Sequence, residues 1–195
     1  RVLPYLRKTK GYCLRYHRVD NFRIDAYSDS GFADDADQRR STTGVVLTAG
    51  DDKRATPLLW MAKRQRHALS GTVATSTQEC ELRALFTAAT LIVYIKQFFT
   101  EVGFPYPKAV VLWEDNTAAR DFSVEEMHQS RAKHLEIKFT FIRELILKNV
   151  LEVRYIHTEQ QLADIFTKAL DRVAFYRHAS TMMTSETSAE HHGCL

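Results

Sequence analysis

Asp29, Glu81, Asp115 and Asp164 each fall where a predicted strand ends or a predicted helix begins. Carboxylates are hard oxygen donors, and magnesium takes carboxylate oxygens while keeping several of its own waters. Two such cations held about 3.5–4 Å apart can drive in-line hydrolysis of a phosphodiester, one activating water and the other stabilising the leaving oxygen. Four acids on four separate elements are therefore candidates for metal-assisted phosphodiester chemistry, provided that the fold gathers them in one place.

The elements that would have to do so can be read from periodicity. Residues 1–20 are basic and aromatic without a clear period after Pro4, and read as a connector. From Arg23 to Asp29, Ile24, Ala26 and Ser28 alternate against Arg23, Asp25, Tyr27 and Asp29, a strand pattern that puts Asp25 and Asp29 on one face. After the polar loop GFADDADQRR, Thr43–Thr48 and Leu58–Ala62 supply two more strands around the turn-forming AGDDKRATP, giving an antiparallel meander. A long helix is predicted from about Thr77 to Val102, stopped by Gly103, Pro105 and Pro107. Ala109–Trp113 is an apolar strand of the buried parallel kind. Helical patterns cover Thr117–Gln129 and His134–Lys148, with Asn149 as a cap. Val150–Ile156 is the last strand and Thr158–Leu170 the last helix, leaving a polar tail, low in order, from 171 to 195. The domain proper is thus expected at 21–170.

Helix starts let one carboxylate be chosen over its neighbour. Ser76 and Glu79 match a capping box, which gives Glu79 a structural task. Glu81, two residues on, is turned by about 200° and is free to enter a site. The plainer alternative for Glu81 is an acid favoured by the helix dipole in a first turn. Thr158 and Gln161 make a second capping-box match, with Leu162, Ile165, Phe166 and Leu170 as the buried stripe; alone, Asp164 would then be a solvated helix acid. Asp115 follows an apolar strand, where ligands and catalytic groups collect in open α/β sheets, although Asp115 or Asn116 could equally cap a helix. Asp29 stands beside Asp34, Asp35 and Asp37, as an acidic turn would. Joint occurrence in the right elements is what favours a site.

Composition narrows the class. The 195 residues are 45% apolar and 26% charged, which suits one globular domain with short extensions. A formal charge of +3 excludes binding nucleic acid as a general polycation, so contacts with it must be local. Cys13, Cys80 and Cys194 are too few and too scattered for a disulfide framework or a zinc site, which points to a reducing compartment. The uncharged run Ala84–Ile95 is too short to span a bilayer and no signal-peptide pattern opens the chain, so a soluble, intracellular protein is expected. The first residue is Arg1 rather than Met, as in a piece of a longer polypeptide.

Several blocks carry a resemblance: YLRKTKGYCLRYHR from Tyr5, AYSDSGFADDADQRRSTTGVVL from Ala26, LWMAKRQ from Leu59, ATSTQECELRAL from Ala74, LWEDNTAAR from Leu112, HQSRAKHLEIKFTFIRE from His128 and YIHTEQQLADIFTKAL from Tyr155. In this order they resemble the ribonuclease H domain of copia-type LTR retrotransposon polyproteins, over nearly all of residues 5–170. The resemblance implies an α/β ribonuclease H-like fold with a five-stranded mixed sheet, three antiparallel strands and then two parallel ones, flanked by helices. It implies that Asp29, Glu81, Asp115 and Asp164 bind two magnesium ions, with manganese as a substitute. The function implied is cleavage of the RNA strand of RNA–DNA hybrids during reverse transcription, beside the polymerase part of the same polyprotein, in a cytoplasmic retrotransposon particle or the nucleus.

The sequence departs from the family pattern in places. Gly31 and Phe32 stand where a run like D-A-D-W-A is usual, Cys80 and Leu82 flank Glu81, and His157 replaces a proline of the last strand's turn. His157, seven residues before Asp164, is a candidate proton shuttle, against the plainer reading of an exposed loop histidine. Candidate substrate contacts are Arg39, Arg40, Asn116, Arg131, Lys133 and His134, placed to hold phosphates of the two strands. Two other classes stay open. One is a decayed or domesticated retroelement fragment acting only as a nucleic-acid or protein binding module. The other is a strand transferase of the same fold, which would place two Asp before its Glu, whereas Glu81 comes second here.

Overall fold

The computed structural model describes residues 2–31, 40–51, 55–65, 77–116 and 133–185, except for the side chains of Val2, Lys133 and His134. In chain order the elements are α1 (Val2–Thr9), β1 (Tyr12–Cys13), β2 (Arg23–Gly31), β3 (Thr42–Gly50), β4 (Ala55–Arg64), α2 (Thr77–Glu101), β5 (Val110–Glu114), α3 (Lys133–Leu147), β6 (Leu151–Tyr155), a 3-10 turn (Thr158–Gln160), α4 (Asp164–Thr167), α5 (Arg172–Met182) and β7 (Thr184–Ser185). The expected helix over Thr117–Gln129 lies outside the described residues.

The main sheet has the order β4-β3-β2-β5-β6. β2 pairs antiparallel with β3, and β3 with β4, while β5 runs parallel to both β2 and β6. This is the expected α/β arrangement of three antiparallel strands followed by two parallel ones. The strand alternation is honoured: Ile24 and Ala26 of β2, Val45 and Leu47 of β3, Val110 and Leu112 of β5 and Leu151 of β6 face one core, closed by Leu85, Ala88, Ala89 and Ile92 of α2 and Ile142 and Leu145 of α3. The opposite face carries a smaller cluster of Tyr27, Val46, Leu162, Ala163 and Met182.

α2 is longer than the uncharged run that the sequence offers, and by length and composition alone it could cross a membrane. Here its apolar face is spent on the sheet and on α3. It ends where the sequence places the stop: Gly103 takes φ 84°, which a side chain would oppose, and Phe104 N–H closes back on Phe99 O at 2.8 Å. α3 ends the same way on Asn149, at φ 53°, with Val150 N–H donating to Leu145 O.

At the chain's ends, residues 2–9 of the expected connector form a helix, and the tail expected to be low in order carries a helix and a short strand as far as Ser185. Asp171 caps α5 by accepting from Val173 N–H and Ala174 N–H, and His178, Ala179 and Met182 are buried. β1 then pairs antiparallel with β7, so the two termini of the fold are joined.

Candidate active site

β2 and β5 end side by side because they are parallel, and this sets Asp29 next to Asp115, just past the end of β5. Asp164 arrives from the other end of the chain on α4, which packs on β3 and β2. The close approach has a specific cause. Gly44 lies opposite Asp29 in the β2–β3 pairing, and a Cβ there would meet Thr167 Cγ2 at 2.6 Å and Ala163 O at 2.8 Å. Glycine's missing side chain is the space that α4 occupies. The result is one carboxylate oxygen from each of Asp29, Asp115 and Asp164 within 4.8 Å of one another.

Glu81 comes to the same cleft from the other side of the sheet, on the second turn of α2. The start of that helix is pinned by Gln65, whose amide donates to Thr43 Oγ1 at 3.0 Å and to Cys80 O at 3.1 Å. Glu79, two residues before Glu81, is engaged elsewhere, in an ion pair with Arg83 at 2.5 Å. Ser76, the other half of the expected capping box, lies outside the described residues. The cleft, about 460 Å³ and widely open, is lined by Asp29, Ser30, Thr77, Glu81, Asp115, Asn116 and Lys168.

Its electrostatics follow from crowding like charges in a poorly solvated place. Burial, and then the Asp29 charge, push Glu81 up to about 8. Asp164 is pushed up to about 6, first by burial, with Asp29 adding to the rise and the Lys168 hydrogen bond opposing it. Behind them sits a further acid, Glu114, with no exposed surface, whose carboxyl is held well above the usual range by burial and then by Glu81. Ser28 Oγ donates to Glu114 Oε2 at 3.0 Å and Asn116 N–H to Oε1 at 3.3 Å, so Glu114 ties the ends of β2 and β5 together. Among the described residues, the buried Glu81 Oε2 and Ser30 Oγ make no well-formed hydrogen bond, although the Ser30 hydroxyl is near enough to Glu81 to oppose the rise in its pKa. An all-carboxylate donor set with a buried, poorly satisfied carboxylate oxygen beside it suits a hard divalent cation.

Other expectations are redistributed. The region Thr158–Leu170 is not one helix, and the Thr158–Gln161 capping box does not form: His157 precedes a 3-10 turn without a side-chain cap. Gln161 is fully buried, and its amide donates to Ser28 O at 2.9 Å and Trp113 O at 3.4 Å, while its carbonyl accepts from Ala163 N–H. That single side chain stitches the Asp164 segment to the two strands bearing Asp29 and Asp115. Asp164 is accordingly buried, at 5% exposure, and is not a solvated helix acid. His157 stacks edge-on against Tyr155 and lines a second cavity of about 650 Å³ with Tyr27, Trp113, Arg177 and His178. It does not line the carboxylate cleft. Asn116 does, and Arg40 is half-buried just before β3. Arg39 and Arg131 lie outside the described residues, and Lys133 and His134 are placed only as backbone, in the first turn of α3.

Sequence reasoning missed Gly44, Thr167 and Lys168, and gave Gln161 only a capping role. Thr167 Oγ1 donates to Asp29 Oδ2. Lys168 Nζ lies 2.9 Å from Asp164 Oδ1 and 3.3 Å from Asp29 Oδ1. The available signal was position: Lys168 follows Asp164 by one helical turn.

Comparison with known proteins places this geometry. The sheet, helices and carboxylate cleft make a ribonuclease H-like fold. The structure aligns with LC11-RNase H1 in complex with an RNA/DNA hybrid at a TM-score of 0.51 and 19% identity, over 74% of this chain and 94% of that one. It aligns with RNase H1 of the halophilic archaeon Halobacterium salinarum at a TM-score of 0.50 and 17% identity, over 74% and 94%. No protein-family model matches. In sequence, the chain is related to retrotransposon Pol polyproteins. It is 32% identical over 180 residues to the retrovirus-related Pol polyprotein from transposon RE1 of Arabidopsis thaliana, and 32% identical over 174 residues to that from transposon TNT 1-94 of Nicotiana tabacum. These matches take in 92% and 89% of this chain, which spans about 12% of the length of each relative.

Proposed function

We propose that the chain is a metal-dependent ribonuclease that hydrolyses the RNA strand of RNA–DNA hybrids during retrotransposon reverse transcription, working beside the polymerase part of a longer polyprotein. The observation that carries this reading is the convergence of Asp29, Asp115 and Asp164 within 4.8 Å at the end of a ribonuclease H-like sheet. The likeness to an RNase H1 solved with an RNA/DNA hybrid supports the substrate class.

Asp29, Glu81, Asp115 and Asp164 would hold two magnesium ions, for which manganese is a substitute. The chemistry such ions would supply when held by these carboxylates is activation of an attacking water and neutralisation of charge on the leaving oxygen. The chain's own groups prepare for this. Thr167 fixes one oxygen of Asp29, Gln161 fixes the approach of Asp164, and Glu114 keeps the strand ends in register. Asn116 at the cleft and Arg40 near β3 are assigned to the phosphate backbone, with Arg39, Arg131, Lys133 and His134 as further contacts. RNA is told from DNA by its 2′-hydroxyls in a shallow minor groove, so cleavage is independent of base sequence. His157, lining a different cavity, is assigned no step. The work is placed inside the cell, in a cytoplasmic retrotransposon particle or in the nucleus.

The test is a cleavage assay with end-labelled RNA–DNA hybrid, RNA duplex and DNA duplex, each with magnesium and with excess chelator. Hybrid cleavage confined to the magnesium arm is expected. Equal cleavage of all three substrates, or none of any, overturns the proposal.

A further inference from the structure

Both oxygens of Asp29 are already taken: Oδ2 accepts from the Thr167 hydroxyl and Oδ1 faces the Lys168 ammonium at 3.3 Å. The same ammonium lies 2.9 Å from Asp164 Oδ1. It therefore bridges two of the three carboxylates whose oxygens converge in the cleft. A divalent cation entering there needs those oxygens, so one of the two donors must yield. Thr167 cannot easily do so, since it is 9% exposed, sits in a helix and packs against Gly44. Lys168 can. Its side chain is 41% exposed on a flexible stem, while the Asp29 and Asp164 side chains it contacts are 3% and 8% exposed. Moving an ammonium from a partly solvated contact to full solvation costs little, and this is the residue type whose charge is a mobile point on four methylenes.

We propose that Lys168 is a built-in competitor of the metal. Its ammonium holds Asp29 and Asp164 together while the cleft has no metal, and it swings to solvent when a divalent cation binds. This inference rests on the reading of the cleft as a metal site. Two functions follow. The lysine keeps the like charges of the cleft from opening the α4 contact, and it raises the metal concentration at which the site fills. Because contact and metal exclude one another, each weakens the other by the same factor.

The test is calorimetric titration of the full chain with magnesium chloride and, separately, calcium chloride at constant ionic strength, alongside thermal unfolding in chelator. Wild type, K168M and K168R are compared. K168M is expected to bind magnesium more tightly, by about 5-fold or more given the usual range of coupling between exclusive ligands. It should also melt below wild type in chelator, with the gap closing at saturating magnesium. K168R, which keeps the charge, should stay close to wild type in both. Unchanged or weaker magnesium binding by K168M, with wild type binding normally, overturns the role of the lysine alone. Absence of binding by wild type and K168M together overturns the metal reading of the cleft, and this inference with it. If K168M does not unfold cooperatively, K168Q is titrated against the same two criteria.

Discussion

Gly44 and Thr167 share one small volume: any side chain on Gly44 would enter the space that the Thr167 methyl fills. The contact lies directly across the β2–β3 ladder from Asp29, so it sets how near α4, with Asp164, can approach the strand. Gly44→Ala is therefore expected to push α4 outward. Overpacking of this kind costs about 1–3 kcal/mol, measurable by urea unfolding. Hybrid cleavage should fall by far more than the folded fraction does. A variant that keeps full cleavage would mean that α4 can shift without moving Asp164 from the site.

Glu79 and Glu81 should separate cleanly. Glu79→Gln keeps a hydrogen-bonding partner for Arg83 but removes the charge from a largely buried i,i+4 ion pair, so a stability loss of up to about 3 kcal/mol is expected, short of the full cost of breaking such a pair. Its cleavage should match wild type. Glu81→Gln is expected to lose at least about 100-fold in kcat, the lower end for deleting a catalytic group. Steady-state kinetics on the two variants decide the matter, and a reversed ranking would contradict the placement of Glu81 in the cleft.

Asp115→Asn should divide function from stability. It removes one charge from a self-repelling cluster and keeps a polar group at the end of β5, so unfolding in chelator should show a protein at least as stable as wild type. Cleavage should drop by at least about 100-fold. Normal cleavage by this variant would sink the metal reading of the acidic set.

The metal-free protein should lose stability as pH rises. Glu81 and Asp164 hold their protons more tightly in the native state, up to about 8 and about 6, than in the unfolded chain. The native state therefore binds more protons, and stability falls with increasing pH. The contribution is complete below about pH 4, declines through 6 as Asp164 ionises, and declines again through 8 as Glu81 does. Glu114 acts with the same sign. Calorimetry in chelator should give a melting temperature at pH 8.5 at least roughly 4 °C below that at pH 5.5, for a chain of this size. Saturating magnesium should shrink or invert that difference, because metal and proton compete for the same oxygens. A flat or rising profile in chelator would contradict the crowding of carboxylates.

The sheet and both long helices were legible from alternation and caps, since β2, β3, β5 and α2 each bury a face that the residue pattern already marks. So were Asp29 and Asp115, because strand ends are where such groups collect, and the two do converge with Asp164. The segment around Asp164 was not. Leu162, Ile165 and Phe166 mark a helical stripe, but Gln161 satisfies backbone groups of Ser28 and Trp113 that are distant in sequence, and no local pattern announces a side chain recruited for that purpose. α5 was overlooked for the opposite reason. Its cap, Asp171, is plain in the sequence, yet its short run of buried positions gives too weak a periodicity to stand out from a polar tail.

The hydroxyl that fixes Asp29 belongs to a residue 138 positions further along the chain. During synthesis, Asp29, Glu81 and Asp115 leave the ribosome long before the segment that brings Asp164, Thr167 and Lys168. A growing chain thus carries most of its acids without the helix that assembles them. The convergence of Asp29, Asp115 and Asp164 therefore depends on a segment made after two of the three are already in place.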